Sequence, residues 1–201
     1  MTPSARLTAL FIAIVAIAAL LAQGTVTSRL PHIAQLTEVI WVMAAFFTVL
    51  VNLAVAISFA RVAWSGRMGT AGWNGGLLLW IGTVGLIYHT VLAGIWAPQG
   101  LAWWADQGLH TAAPLLTAIW WLAFAPKSPL NLWHPWRWAA VPLLYCAYAL
   151  VRGQLTGIYA YPFIDVTAVG ATRAAMNIAG LTLGFVLGGY AVVFFARRIT
   201  S

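Results

Sequence analysis

Charge is what this chain lacks most. Its 201 residues include ten lysines and arginines and three acids, so charged side chains make up 6% of the sequence. A soluble globular domain carries roughly a quarter. Such scarcity excludes a water-facing surface over most of the chain. Acids are the rarest of all, confined to Glu38, Asp106 and Asp165. The basic excess, a formal net charge of +7, is scattered singly between apolar runs. It forms no patch, which argues against nucleic-acid binding. Cysteine is reduced to Cys146, which lies in an apolar run, cannot close an internal disulfide and reads as a small core hydrophobe. What the chain has instead is hydrophobicity, 63% of residues, and 12 tryptophans, whose amphipathic rings suit a membrane interface.

Six apolar stretches approach the roughly 20 residues that a bilayer core demands. They run from about 7 to 22, 38 to 64, 75 to 96, 106 to 125, 138 to 151 and 174 to 196. The first follows Arg6 and has a poor small-x-small cleavage pattern, so it is expected to be a helix rather than a signal peptide. The links carry turn chemistry: Gly66, Gly69 and Gly72, then Pro98 and Gly100, then Pro129 and Asn131 between Pro126 and Pro135. The segment from Gly153 to Thr167 is too polar and interrupted to span, but aromatic enough to lie at an interface. The expected fold is therefore all-α: a single domain over residues 1–201, forming a polytopic bundle of six transmembrane helices.

Orientation follows from the cations. With both termini cytoplasmic, Arg6, Arg61, Arg67, Lys127, Arg137, Arg197 and Arg198 fall inside, and Arg29, Arg152 and Arg173 outside. That is a positive-inside distribution. The three acids all fall on the outer side, and the expected location is a plasma or cell inner membrane.

In so apolar a chain, polar groups within spans are costly unless they are paired or line a cavity. Thr48 and Asn52, four apart, share a face of the second span, with Thr48 about 15 Å from its outer end. His89 lies about 10 Å inside the third span. Asp106 and His110 are spaced i, i+4 on the fourth, Arg152 ends the fifth, and Asp165 closes the aromatic segment. Together they describe a polar pocket open toward the outer leaflet. Ordinary readings stand beside these. A membrane threonine usually bonds its own i−4 carbonyl, Asn52 suits interhelical glue, His89 suits packing beside Tyr88, and Asp106 suits a helix N-cap. His110 is harder to assign to packing, because Asp106 one turn away can fix its tautomer and raise its basicity.

Three chemistries fit these residues. Thr48, His110 and Asp106 supply a nucleophile, a base and an orienting group, although helix counting separates Thr48 and His110 by roughly 9 Å in depth. His89 and His110, on successive spans at similar depth, suit bis-histidine haem ligation. A small transporter is the third, with neither an internal repeat nor an interrupted helix pair to support it. No compact zinc motif is present.

Four motifs in order then carry a resemblance. They are Phe46-Phe47-Thr48-Val49-Leu50-Val51-Asn52, Tyr88-His89, the run from Asp106 through Gly108, His110 and Thr111 to Pro114, and Tyr159-Ala160-Tyr161-Pro162-Phe163-Ile164-Asp165. From the second span to the sixth, the chain resembles the bacterial branch of the androgen-induced-gene family, which includes the androgen-dependent TFPI-regulating protein of animals. The resemblance implies a six-helix membrane hydrolase with a threonine nucleophile and an essential histidine. Animal members hydrolyse fatty acid esters of hydroxy fatty acids. Carried over by motif, Thr48 is the nucleophile and His110 the histidine. Asp106 then orients His110, while Asn52, His89 and Arg152 are oxyanion candidates and Asp165 a supporting one. The expectation includes no cofactor, no metal and no obligatory protein partner. Membrane lipids are both surroundings and substrate, and the site lies near the outer leaflet.

Overall fold

The computed structural model describes residues 1–94 and 97–199, together with the backbone of residue 200. Trp96, the expected end of the third span, lies outside the described residues. The chain is about 80% helical, with no strand among the described residues. Its helices are α1 (Pro3–Ser28), α2 (Leu36–Met43), α3 (Phe47–Ser65), α4 (Ala71–Ile87), α5 (Leu101–Gln107), α6 (Ala113–Phe124), α7 (His134–Thr156), α8 (Val166–Val169) and α9 (Ala171–Thr200). Two π turns, Tyr88–Leu92 and Gly108–Ala112, continue α4 and join α5 to α6. Contacts group the chain into two compact units, residues 1–127 and 128–201.

Four helical stretches are long and apolar enough to cross a membrane: Pro3–Ser28, Phe47–Ser65, Ala71–Leu92 and Ala171–Ile199. The expected fourth and fifth spans are helical but do not meet that test. The fourth, continuous through its π turn, carries Asp106, Gln107, His110 and Thr111, and α7 carries Arg137, Arg152, Gln154 and two prolines. Most helices outrun their apolar stretches because backbone hydrogen bonding does not stop where hydrophobicity does. Thr2 caps α1 by accepting from the Ala5 N–H, and Thr70 caps α4 through Trp73. Gly72, expected in a link, therefore lies in the first turn of α4. The second expected span departs most. It is not one helix but α2 and α3, separated at residues 44–46 by a chain that turns extended at Phe46.

In the first unit α1 presents Ala5, Ala9, Ala13, Ala16 and Ala19 inward, all buried. Small side chains let membrane helices approach closely enough for dispersion to hold them. Successive long helices run antiparallel. Arg6 at the start of α1 donates to the carbonyls of Ala63 (2.6 Å) and Trp64 (3.0 Å) at the end of α3, satisfying orphan carbonyls of that terminus. Trp120 of α6 donates to the Ala5 carbonyl (3.0 Å) and meets Phe59 edge to face at 5.0 Å. Thr48, Tyr88 and Gly108 consequently fall at the opposite end of the unit. In the second unit α7 and α9 are antiparallel. Trp136 donates to the Tyr190 hydroxyl (3.1 Å) and Arg197 to the Leu130 carbonyl (3.0 Å).

Trp120 is 1% exposed and ties three helices together. Trp120→Ala is expected to lower stability by about 3–5 kcal/mol, measured as the fraction folded against denaturing detergent in mixed micelles. Trp120→Phe should recover part of that loss.

Candidate active site

Both span histidines sit on π turns. A π turn widens a helix by one residue, and such turns are frequent at functional sites. In the first, the Ala93 N–H reaches the Tyr88 carbonyl at 2.8 Å; in the second, the Ala113 N–H reaches that of Gly108. Because α5 starts at Leu101, behind Gly100 at φ +57°, Asp106 is well inside the helix. The N-cap reading of Asp106 is overturned: the helix begins a turn and a half earlier.

Asp106 is buried, and its carboxylate organises a network. The Tyr88 hydroxyl donates to Oδ2, and Gln107 Nε2 approaches the same oxygen at 3.4 Å. His110 Nδ1 lies 3.2 Å from Oδ1 and 3.1 Å from the Asp106 carbonyl. Two acceptors at Nδ1 place the ring proton there, assigning Nε2 as the basic nitrogen. Nε2 makes no hydrogen bond to any described residue. Tyr88 also lies flat on the His110 ring, centroids 4.1 Å apart at 14°, and meets His89 edge to face at 5.0 Å. The network continues outward. The Thr111 hydroxyl donates to Gln107 Oε1 (2.9 Å) and is therefore the acceptor for His89 Nε2 (3.0 Å).

Thr48 is the second residue of α3 and is largely buried. Its hydroxyl makes no hydrogen bond among the described residues. Thr25, Thr83, Thr90 and Thr182, in helix interiors, all donate to their i−4 carbonyls. Thr48 departs from that habit because Ala44, four residues earlier, belongs to no continuous helix with it. The same break removes the basis of the 9 Å depth difference, which assumed one straight span. Asn52 Nδ2 donates to the Thr48 carbonyl (2.9 Å) and to that of Leu109 (3.1 Å), tying the start of α3 to the turn that carries His110. Both amide hydrogens are thereby committed, so Asn52 is a tie and not an oxyanion donor, a correction to the sequence reading.

Arg152 and Asp165 belong to the second unit. Arg152 is buried and donates to the Tyr148 hydroxyl at 3.0 Å. Asp165 caps α8, accepting from the Thr167 hydroxyl (2.6 Å) and the N–H groups of Thr167 (2.9 Å) and Ala168 (3.1 Å). His134, expected in a loop, opens α7. Sequence reasoning left Tyr88, Gln107 and Thr111 out of the site. The i, i+4 pair Gln107–Thr111, beside Asp106–His110, was the available signal for two of them. A groove of about 510 Å³, walled by Ala18, Ala19, Trp103 and Trp104, reaches the network at Gln107 and Thr111. No family model, curated protein or solved structure matches the chain.

The Thr167 hydroxyl, with the Ala168 and Thr167 N–H groups, holds Asp165 below the usual carboxylate range. The folded value lies beneath the unfolded one, near 3.9. The cap is therefore fully present above that pH and is lost as pH falls through the folded value. Hydrogen-exchange protection over residues 166–169 is expected to drop in that acid window. In Asp165→Asn, which still accepts, protection should not vary with pH.

Proposed function

We propose that this chain is an intramembrane ester hydrolase of the androgen-induced-gene type. In this reading Thr48 is the nucleophile, His110 the general base and Asp106 the group that orients it. The observation that carries the reading is the engagement of His110: Nδ1 is held by Asp106 while Nε2 stays unbonded, and Asn52 joins this turn to the helix start bearing an unbonded Thr48 hydroxyl. A base oriented by a third group, on a turn tied to the helix start that carries an uncommitted hydroxyl, supplies the parts that nucleophilic catalysis requires. The bundle crosses the membrane six times with both termini inside, a topology supported by the cation distribution and the antiparallel helices of the first unit.

The substrate is an amphiphilic ester, such as a fatty acid ester of a hydroxy fatty acid, entering from the outer leaflet. His110 Nε2 takes the Thr48 proton as Oγ1 adds to the ester carbonyl. The tetrahedral intermediate expels the alcohol, which leaves with the proton from His110, and an acyl-threonine remains. Water, deprotonated by His110, then adds to that carbonyl and releases the fatty acid and the free threonine. With the Asn52 amide committed, the Thr48 backbone N–H, in the first turn of α3 where no intrahelical acceptor exists, is the donor for the oxyanion.

Fluorophosphonate labelling of purified protein tests this reading. Wild type is expected to label, Thr48→Ala not at all, and His110→Ala at least about 100-fold more slowly. Labelling that survives in Thr48→Ala refutes the assigned nucleophile. A Soret band in the purified protein, lost in His89→Ala, would replace hydrolysis with haem binding.

A further inference from the structure

We propose that Tyr88 is the positioning residue for the base, a single side chain that restrains both Asp106 and His110. This rests on the hydrolase reading for its catalytic consequence, though not for its geometry.

A carboxylate and an imidazole do not hold themselves in register. The last torsions of both Asp and His turn about an sp³–sp² bond, which has a broad and roughly two-fold potential. Something outside each side chain must select the productive orientation. At Asp106 that selector is the Tyr88 hydroxyl, which takes Oδ2 and leaves Oδ1 facing His110 Nδ1. Gln107, at 3.4 Å from Oδ2, is too distant to do this alone. At His110 the selector is the phenol ring, lying 4.1 Å away and within 14° of parallel. Rotation of the imidazole would drive its edge into that face. Tyr88 is 5% exposed and starts the first π turn, so its own position is fixed by packing.

The close approach of α4 to the His110 turn is built in one turn earlier. A Cβ on Gly85 would meet the His110 carbonyl oxygen at 3.0 Å and Pro114 at 3.1 Å. Glycine at this position lets the helix backbones come near enough for the phenol and imidazole to lie flat together. Tyr88 exchanges no proton with the substrate: its hydroxyl acts through Asp106 and its ring through the plane of His110, keeping the proton on Nδ1 and the lone pair on Nε2.

The test uses full-length protein in nanodiscs, labelled with ¹⁵N-histidine, with the His110 signals assigned from His110→Gln. In wild type the His110 nitrogens should report one neutral tautomer, protonated at Nδ1. Tyr88→Phe keeps the ring and removes the hydroxyl. It should populate both tautomers and lower kcat for a long-chain ester about 10-fold with little change in KM. Tyr88→Leu, lacking the ring as well, should lose more activity and broaden the His110 signals. Asp106→Asn, which still fills the space, should abolish the Nδ1–H preference. A single Nδ1–H tautomer in Tyr88→Phe with kcat within about two-fold of wild type would reduce Tyr88 to packing, as would mixed tautomers in the wild type. Should wild type hydrolyse no ester, the hydrolase reading falls. The tautomer populations then still decide whether Tyr88 sets the pair.

Discussion

The arrangement at one end of the first unit depends on a buried carboxylate. Taking a carboxylate out of water costs several kcal/mol unless donors replace the lost hydration. Of the two acids in this unit, Glu38 accepts from the Ala34 and Gln35 N–H groups ahead of α2. Asp106 has no such local solution. Its donors come from the Tyr88 hydroxyl across the helix interface and from the His110 and Gln107 side chains of its own segment. Satisfying Asp106 therefore brings α4 and the His110 turn together and fixes the proton on one nitrogen of that histidine. The stabilising requirement and the chemical one are met by the same contacts.

The irregular backbone of this unit gathers around that carboxylate. The break at residues 44–46 and the two π turns all lie at the end that holds Thr48, Tyr88 and His110. The other end is conventional: Arg6 closes the last carbonyls of α3, Gly66 takes the left-handed conformation (φ +68°), and Thr70 caps α4. Each irregularity leaves a polar group without its usual helical partner, or turns a side chain off its regular face. The break keeps the Thr48 hydroxyl from the i−4 bond that occupies other threonines, and the second π turn offers the Leu109 carbonyl to Asn52. Departures from regular structure of this kind concentrate where function constrains the chain.

The sequence shows the helices plainly, because runs of apolar residues admit no other structure in this composition. It also shows the Asp106–His110 pair, since i, i+4 spacing is local. The break in the second span leaves no mark: Ala44 and Ala45 are the strongest of helix formers, and no Gly or Pro lies between Glu38 and Phe46. The chain there is not one straight helix, so depth counted along one does not measure the separation of Thr48 and His110. Tyr88 escapes for a related reason. It stands 18 residues from Asp106 on another helix, where no periodicity connects them. Asp165, by contrast, is explained locally by the hydroxyl and N–H of Thr167 and the N–H of Ala168.

A helix with no candidate residue nevertheless sets the position of His110. A Cβ at Gly108, the first residue of the second π turn, would fall 2.5 Å from the Ala19 Cβ. The smallest residue of one helix thus meets a small residue of α1 where the chain widens. Where apolar surroundings remove the hydrophobic drive between helices, such close approach is what holds them, through dispersion and the hydrogen bonds it permits. Ala16 and Ala19 continue the inward row begun at Ala5 and Ala9, so α1 acts as a flat wall against which the turn is seated. Tyr88 presses the His110 ring from the α4 side, and Asn52 holds the preceding carbonyl from α3. The turn is constrained from three helices, which is why a segment of irregular backbone can present one imidazole nitrogen in a single direction.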